Sequence, residues 1–199
     1  MNQKEAWDSI AEDWDKFRRK PLFGVVSFLE KNKGKILDMG CGTGRHVLED
    51  ENHEFYGIDF SDEMVKIAKK KKQKSKFFVS SLENLPFKDN FFDAAIYISV
   101  LHCLENKGKR EKSLRELFRV LKSNSKARIS VWSKKHPRIS NLPGSSFVPW
   151  RVKSKNLKRY YYFYEKDELE NLLKSVGFEV QFIEDDSRNI HAVVIKPRH

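Results

Sequence analysis

The sequence predicts an α/β fold, in which helices cover both faces of a mostly parallel, seven-stranded sheet. Two observations lead to this class. Patterns typical of strands and of helices alternate along the 199 residues without an internal repeat. One apolar strand also runs directly into closely spaced glycines, and the strand that follows it ends in an acid. A chain of this length can bury a sizeable core, so we expect one domain over 1–199.

The first strand, predicted at 35–39, leads into a turn that contains three glycines at alternate positions: Gly40, Gly42 and Gly44. Glycine allows the backbone to turn tightly and to approach a ligand closely. We expect a helix over 44–49, whose free N–H groups would face the contents of the turn. The spacing is G-x-G-x-G, whereas a dinucleotide-binding fold uses G-x-G-x-x-G.

The second strand, predicted at 54–59, ends in Asp59. This acid lies about twenty residues beyond the glycine turn, where a carboxylate can accept hydrogen bonds from both ribose hydroxyls of a nucleoside. The alternative is an ordinary glycine turn with a chance acid after the next strand. Together the two features favour a nucleoside-bearing cofactor.

The remaining elements follow from apolar spacing and from turn residues. Further strands are predicted at 76–79, 94–98, 127–132, 179–184 and 192–195, and helices at 3–17, 24–31, 62–71, 109–121 and 166–176. The short polar turn 185–189 makes the last two strands antiparallel. Residues 1–31 would form an N-terminal helical cap. Residues 133–158, rich in Ser, Pro and Lys, are predicted to be a long loop, of the kind that often serves function.

Composition limits the class of partner. The net charge is +11 and the isoelectric point is about 9.5, which favours nucleic acid first and an anionic membrane second. The longest apolar run, 94–104, is too short to span a bilayer, and the first residues carry no apolar signal region. Two cysteines and no zinc-type spacing predict neither a disulfide scaffold nor a metal site. We expect a soluble, cytoplasmic protein without a membrane partner.

One long segment carries charge of a single sign. No acid occurs between Glu116 and Glu165, while the same segment holds a series of cations: Arg119, Lys122, Lys126, Arg128, Lys134, Lys135, Arg138, Arg151, Lys153, Lys155, Lys158 and Arg159. Aromatic residues interleave with them, which is typical of a surface on which unstacked bases lie. The alternative is a solvated surface with chance clustering.

The motifs together resemble those of class I S-adenosylmethionine-dependent methyltransferases. They include 37–44 with the glycine turn, 57–61 after the second strand, Leu85-Pro86-Phe87, Phe91-Phe92-Asp93 and the 114–121 helix before the fifth strand. The resemblance covers about residues 30–199. It implies the sheet order 3-2-1-4-5-7-6, with S-adenosylmethionine as cofactor and S-adenosylhomocysteine as product.

The resemblance also implies a cofactor site. The backbone of Gly40, Cys41, Gly42 and Gly44 should pass beneath the methionine moiety, with Asp38 at the turn. Asp59 should hold the ribose hydroxyls and Phe60 should lie against adenine. The adenine edge should be lined by Ser81, which stands where the family prefers Asp, and by Leu82. The backbone of Ile98 should meet the methionine amino group.

Other segments resemble the tRNA wobble-uridine carboxymethyl methyltransferases of eukaryotes and archaea. The runs that carry this resemblance are Ile98-Ser99-Val100-Leu101-His102, Ala11-Glu12-Asp13-Trp14, Arg18-Arg19-Lys20-Pro21, Phe147-Val148-Pro149-Trp150 and 159–164. Enzymes of this family methylate the carboxylate of a 5-carboxymethyl group on the first anticodon uridine. The resemblance therefore implies the tRNA anticodon stem-loop as substrate.

Methyl transfer to a carboxylate needs orientation more than proton transfer, because a carboxylate is already ionised at neutral pH. An arginine fork can hold a carboxylate through two contacts. Arg18 and Arg159 are the candidates for that role, and His102 is a third candidate catalytic residue or a structural histidine. The residues expected to bind substrate are Arg18, Lys20, Trp150, Lys153, Lys155, Lys158 and Tyr160.

Two other functions stay open from the sequence: a small-molecule methyltransferase of the quinone or sterol type, and a tRNA-binding subunit that has lost catalysis. The intact glycine turn and Asp59 argue against the second. In the implied order, 76–80 is an edge strand with an apolar Phe77-Phe78-Val79 run. The resemblance offers a small zinc-binding activator protein as its cover, and the alternative is protection by the lysines of 69–76.

Overall fold

The computed structural model describes residues 2–139, 141–152 and 155–198, with the side chains of 151, 152, 155 and 156 excepted. Five α-helices are present in this part of the chain: α1 (Gln3–Phe17), α2 (Phe23–Glu30), α3 (Asp62–Lys71), α4 (Lys107–Val120) and α5 (Lys166–Val176). A short 3₁₀ helix spans Leu101–Cys103. The strands are β1 (Gly34–Met39), β2 (His53–Asp59), β3 (Lys76–Val79), β4 (Phe92–Ile98), β5 (Leu121–Trp132), β6 (Ser145–Val152), β7 (Lys155–Tyr162), β8 (Glu179–Asp185) and β9 (Asn189–Ile195).

Seven strands form the main sheet in the order β3-β2-β1-β4-β5-β9-β8. The first five are parallel to one another, and β9 runs antiparallel to both β5 and β8. Strands β6 and β7 form a separate antiparallel pair. With that pair left out of the count, the order is the expected 3-2-1-4-5-7-6. The carboxyl ends of β1, β2 and β4 therefore share one edge of the sheet.

Apolar residues on both faces of the sheet pack against helices. Leu114 and Leu117 of α4 lie in one buried cluster together with Leu169 of α5. Val25 of α2 and Val65 of α3 lie in a second cluster on the opposite side. This arrangement confirms the predicted class, because a parallel sheet needs cover on both faces.

The helix predicted at 44–49 is wrong. Residues 42–46 form turns instead, with hydrogen bonds from Gly44 N to Cys41 O (3.0 Å) and from Val47 N to Gly44 O (3.3 Å). Gly42 and Gly44 have φ values of +51° and +76°. Since left-handed residues cannot continue a right-handed helix, the glycines that form the turn also prevent helix formation there.

The long loop predicted at 133–158 is also wrong in its second half, where β6 and the start of β7 lie. The register opposes Phe147 to Tyr160 and Trp150 to Leu157. Alternation along β7 explains the strand: Leu157, Arg159 and Tyr161 are buried, whereas Lys158 is exposed. The Ser, Pro and Lys content of the segment hid this two-residue period.

Within the described residues, no helix has both the length and the apolar character needed to cross a membrane.

Candidate functional site

The glycine turn lies at the carboxyl end of β1 and is packed too closely for side chains. Gly40 has a φ of +73°, and a Cβ added there would lie 2.4 Å from Val100 Cγ2. Gly42 donates its N–H to Asp59 Oδ2 at 2.9 Å. The turn is thus fastened to the end of β2, with Val100 above it, and any larger residue at position 40 would clash.

Asp59 is a buried carboxylate at the carboxyl end of β2. Its Oδ1 accepts a hydrogen bond from Ser61 N at 3.0 Å, and only 8% of its surface is exposed. Burial raises the pKa of Asp59 to about 6, although the backbone donors Ser61 and Gly42 oppose the rise. Each oxygen keeps a free lone pair, so the carboxylate can accept further hydrogen bonds from a ligand.

Asp38 is more deeply buried than Asp59, and its Oδ2 has no hydrogen-bond partner in the described structure. Burial, followed by the negative charge of Asp59, raises the pKa of Asp38 to about 8. An unpartnered buried carboxylate is costly to ionise, and a cationic ligand would remove that cost. The two acids therefore make this edge of the sheet a site for a ligand with hydroxyl donors and a positive charge.

The ligand-free protein should reveal the cost of ionising Asp38. Because the folded-state pKa lies above the ordinary value, stability from this group is present at low pH and is lost as the pH rises from about 4 to about 8. We expect Asp38→Asn to melt several degrees above wild type at pH 8.5, with a smaller gap at pH 5. Thermal melts across this range measure the gap, and a gap independent of pH would contradict the assignment.

The other expected cofactor residues lie around the same turn or further along the sheet edge. Cys41 is buried, and its sulfur would lie 2.9 Å from a Cβ added at Gly57. Phe60 is half-buried directly after β2, and Leu82 is buried. Ser81 is exposed, and its hydroxyl bonds the Glu83 carboxylate. Ile98 ends β4 and is 8% exposed.

A buried arginine occupies an aromatic chamber beside the turn. The guanidinium carbon of Arg159 lies 4.6 Å from the ring centroid of Trp150, 5.1 Å from Tyr161, 5.2 Å from Trp7 and 5.9 Å from Trp14. Only 4% of Arg159 is exposed. These five residues, which we call the arginine chamber, come from α1, β6 and β7.

No carboxylate pairs with Arg159 in the part of the chain that the structure describes, and its Nε lacks a hydrogen-bond partner there. Cation–π contacts stabilise such a charge by roughly 0.5–2 kcal/mol each, whereas removing it from water costs several kcal/mol. An anion bound at the guanidinium would offset the remaining cost of burying this charge. The chamber has the composition of a receptor for a small anionic group.

His102 lies next to the chamber and is fully buried. Its ring is 5.2 Å from that of Tyr161, and its Nδ1 accepts the backbone N–H of Trp132 at 3.3 Å. Burial, with the Arg159 charge as a second cause, lowers the pKa of His102 to about 3. The imidazole is therefore neutral, and its proton lies on Nε2, a buried donor without a partner among the described residues.

Trp14 joins the chamber to the glycine turn. Its Nε1 would lie 3.7 Å from a Cβ added at Gly42, and its ring also contacts Arg159. Helix α1 is held in this position by Asp8, which accepts hydrogen bonds from Ser61 Oγ (2.5 Å) and Glu63 N (3.2 Å). A ligand at the turn and an anion at Arg159 would therefore be neighbours.

The expected substrate residues divide between the inside and the outside of the molecule. Trp150 faces the chamber, and Arg18 is exposed with its guanidinium 5.4 Å from the Trp14 ring. Lys20 and Lys158 are exposed, and Tyr160 is half-buried. Lys153 lies outside the described residues, and so does the side chain of Lys155.

Sequence reasoning missed Trp7, Tyr161 and Val100 as parts of the site. A signal for one of them was present, because Trp7 and Trp14 are seven residues apart and so share one face of α1. No local pattern pairs α1 with β7. That contact joins residues far apart in the sequence, as when Tyr160 N donates to Gln3 Oε1, 157 positions away, at 2.9 Å.

In the described residues, no three His, Cys, Asp or Glu side chains are grouped so as to hold a metal ion.

Comparison with known proteins adds sequence relatives. Residues 37–129 match the family model described as a methyltransferase domain. The chain is 32% identical to a demethylmenaquinone methyltransferase of Thermotoga maritima, over 88% of this chain and 87% of that protein. It is similar to two tRNA (carboxymethyluridine(34)-5-O)-methyltransferases. The Arabidopsis thaliana relative is 36% identical over 68% of this chain, and the Schizosaccharomyces pombe relative is 28% identical over 87%.

The two tRNA enzymes differ in length. The chain spans about a third (34%) of the Arabidopsis protein but 86% of the fission yeast protein. Among solved structures, an S-adenosylmethionine-dependent methyltransferase from Methanosarcina mazei has a TM-score of 0.76 at 20% identity, covering 90% of this chain and all of that one. A Haloferax volcanii complex of a methyltransferase with the Trm112 activator scores 0.74 at 15% identity, covering 99% and 97%. These two likenesses establish the fold.

Proposed function

The chain belongs to the S-adenosylmethionine-dependent methyltransferases, and from that membership we propose that it methylates a carboxylate on tRNA. The acceptor would be the 5-carboxymethyl group of the wobble uridine, and the product a methyl ester. One observation carries the choice of a carboxylate: Arg159 is buried among aromatic rings, beside the cofactor turn, without an acidic partner in the described structure.

The residues at the turn fit the cofactor. Asp59 would accept the ribose hydroxyls, and the unpartnered Oδ2 of Asp38 matches the positive charge of the methionine part. Gly40 leaves no room for a side chain under Val100, so the backbone itself forms the floor of the site. When bound, S-adenosylmethionine supplies an activated methyl group on a sulfonium.

The arginine chamber would then orient the acceptor carboxylate toward the methyl group. Arg159 offers a planar fork of donors that matches both oxygens of a carboxylate, and His102 Nε2–H is a second free donor next to it. The rings of Trp7, Trp14 and Trp150 would exclude water from the Arg159 guanidinium and the acceptor carboxylate. Exclusion of water strengthens the attraction between these two charges. Catalysis in this proposal is positioning, and a general base is unnecessary because the nucleophile is already ionised.

Two lines of support favour tRNA as the carrier of that carboxylate. The two carboxymethyluridine methyltransferases named above are similar to this chain over 68% of its length in the Arabidopsis case and over 87% in the fission yeast case. The outer face of the β6–β7 pair also presents Phe147, Lys158 and Tyr160. Aromatic and cationic residues in alternation suit unpaired bases and phosphates.

Transfer of a labelled methyl group tests the proposal. The purified chain, with its activator if one is required, is incubated with methyl-labelled S-adenosylmethionine and bulk tRNA from cells that make the carboxymethyl group. We expect label in tRNA, and none in tRNA from cells that lack the modification. Binding of tRNA and of cofactor without any transfer would instead indicate a tRNA-binding subunit without catalytic activity.

A second candidate is a small-molecule methyltransferase of the quinone type. The Thermotoga demethylmenaquinone methyltransferase supports it, because the match extends along 87% of that protein. A quinone acceptor would leave the buried Arg159 without an anionic partner. Label found in a demethylmenaquinone added to the same assay, and not in tRNA, would favour this second function.

We also propose an activator protein at the open edge of the sheet. Among the described strands, β3 pairs with β2 alone, and on it Phe78 and Val79 are 38% and 46% exposed. A bare apolar edge is an aggregation hazard that a partner strand would remove. The Haloferax complex, in which a methyltransferase of this fold is joined to the Trm112 activator, supports the choice of partner.

Substitution of one edge residue tests the activator. We expect Phe78→Lys to abolish co-purification with a Trm112-type activator from the same genome, since a charge would replace the apolar contact. Size-exclusion chromatography of the co-expressed pair measures the complex. Phe182→Lys is the matched control, because Phe182 is 46% exposed on β8 at the opposite edge. Equal loss with both variants, or an intact complex with Phe78→Lys, would contradict the proposal.

A further inference from the structure

Residues 16–23, which comprise the end of α1, the connection to α2 and the first residue of α2, are exposed at every position. We call this segment the strap. It holds two phenylalanines, Phe17 at 67% exposure and Phe23 at 86%, with Leu22 at 38% between them. A single exposed apolar residue is ordinary, but three within seven residues indicate an interaction surface.

The charges of the strap point to a polyanion. Arg18, Arg19 and Lys20 have no ion-pair partner within the described ranges, whereas Lys16 pairs with Asp13 (3.4 Å). Arg45 adds a fourth cation, which is held against the strap by the hydrogen bond from its Nε to the Lys20 carbonyl at 2.6 Å. Burial, followed by the positive charge of Arg18, lowers the pKa of Arg45. Cations this close together repel one another, and a bound anion would neutralise the repulsion.

The strap also lies at the arginine chamber. The Phe17 ring is 6.3 Å from that of Trp150, and the Arg18 guanidinium lies over Trp14. Both of those tryptophans surround Arg159. A nucleotide whose base carries the carboxylate acceptor would therefore have its neighbours along the strap.

We propose that the strap binds single-stranded RNA next to the modified nucleotide, with unpaired bases stacked on Phe17 and Phe23. Arg18, Lys20 and Arg45 contact the intervening phosphates. Stacking of a base on an aromatic ring favours binding whatever the base, because every base has a π-face. This inference rests on the proposed tRNA substrate and adds to it the residues that hold the flanking nucleotides.

Binding of a fluorescently labelled anticodon stem-loop RNA, followed by anisotropy at fixed S-adenosylhomocysteine concentration, tests the strap. We expect Phe23→Ala and Phe17→Ala each to raise the Kd by about tenfold, with unchanged cofactor affinity. Phe23→Trp should bind as wild type, and Phe23→Leu should bind as weakly as Phe23→Ala, because leucine is apolar but has no ring to stack. Phe182→Ala, on the far edge of the sheet, is the control and should have no effect.

Several results would overturn the inference. Wild-type affinity in Phe23→Leu would mean an apolar contact, as with a protein partner, and wild-type affinity in both alanine variants would mean that no base stacks on the strap. Equal affinity of the wild type for a blunt RNA duplex would also contradict it. The binding assay needs no methyl acceptor, so the two proposals can fail separately. If the wild type transfers label to tRNA and the strap variants keep wild-type affinity for RNA, this inference alone is refuted. RNA binding that depends on the strap, without label transfer, would refute the proposed function alone.

Discussion

Replacement of Arg159 by methionine should lower kcat on carboxymethylated tRNA by about 100-fold, or about 2.7 kcal/mol of transition-state stabilisation. Methionine fills a similar volume among the rings of the arginine chamber but offers no donor to a carboxylate. Arg159→Lys should fail as well, because an ammonium cannot reproduce the two parallel hydrogen bonds of the fork. Steady-state kinetics measure the fall in kcat. Calorimetric titration of S-adenosylmethionine shows whether the variant still binds the cofactor.

The matched control for Arg159 is Arg138→Ala, an exposed cation of the same basic segment, which should leave kcat unchanged. Arg159→Met should also melt no lower than wild type, because it removes a buried charge that has no ionic partner among the described residues. Full turnover in Arg159→Met would remove the residue from the mechanism. The exposed Arg18 would then be the next candidate for the carboxylate.

Loss of Asp59 should weaken S-adenosylmethionine binding at least tenfold, or about 1.4 kcal/mol. Asp59→Ala removes the acceptor for the ribose hydroxyls, and it also releases Gly42 N and Ser61 N, which the carboxylate now holds. Asp62→Ala is the control, since Asp62 is an exposed acid three residues further on. Calorimetric titration of both variants measures the difference, and unchanged affinity in Asp59→Ala would refute the assignment.

The pH dependence of cofactor binding is a second test of Asp59 as the acceptor for the ribose hydroxyls. Burial raises its pKa to about 6 in the ligand-free protein, and only the ionised carboxylate is the full acceptor that two hydroxyls need. A proton on Asp59 therefore competes with the cofactor below about pH 6. In the Asp38→Asn variant, which removes the titration of the neighbouring Asp38, affinity should fall as the pH falls through that range. Affinity that is constant from pH 5 to pH 8 would contradict this role.

Most of the sheet was predictable from the sequence because its elements are specified locally. Helix α1 was predicted with its observed bounds from apolar residues at helical spacing, and in the structure a capping box of Asn2 and Glu5 fixes its start. Strand β1 and Asp59 were also found, because an apolar run followed by glycines has few other structural meanings. The order of the strands came from a family resemblance, and local pattern alone would not have supplied it.

The arginine chamber was not predictable in the same way. Arg159 was a candidate for its chemistry, but its burial depends on three tryptophans from two distant parts of the chain. Strand β7 itself was missed altogether, because basic residues alternate with the buried positions and resemble a loop in composition. Tertiary contact between α1 and β7 creates the site, and no window of sequence contains both.

The chemical nature of the transferred methyl group is the most direct test of a carboxylate acceptor held by Arg159. A methyl ester is cleaved by mild alkali and releases volatile methanol, whereas methyl groups on ring nitrogen, ring carbon or ribose oxygen remain on the nucleoside. We predict that label introduced into tRNA by the wild-type protein becomes volatile after mild alkaline treatment and that Arg159→Met introduces almost none. Label that stays on the nucleoside after alkali would contradict the account.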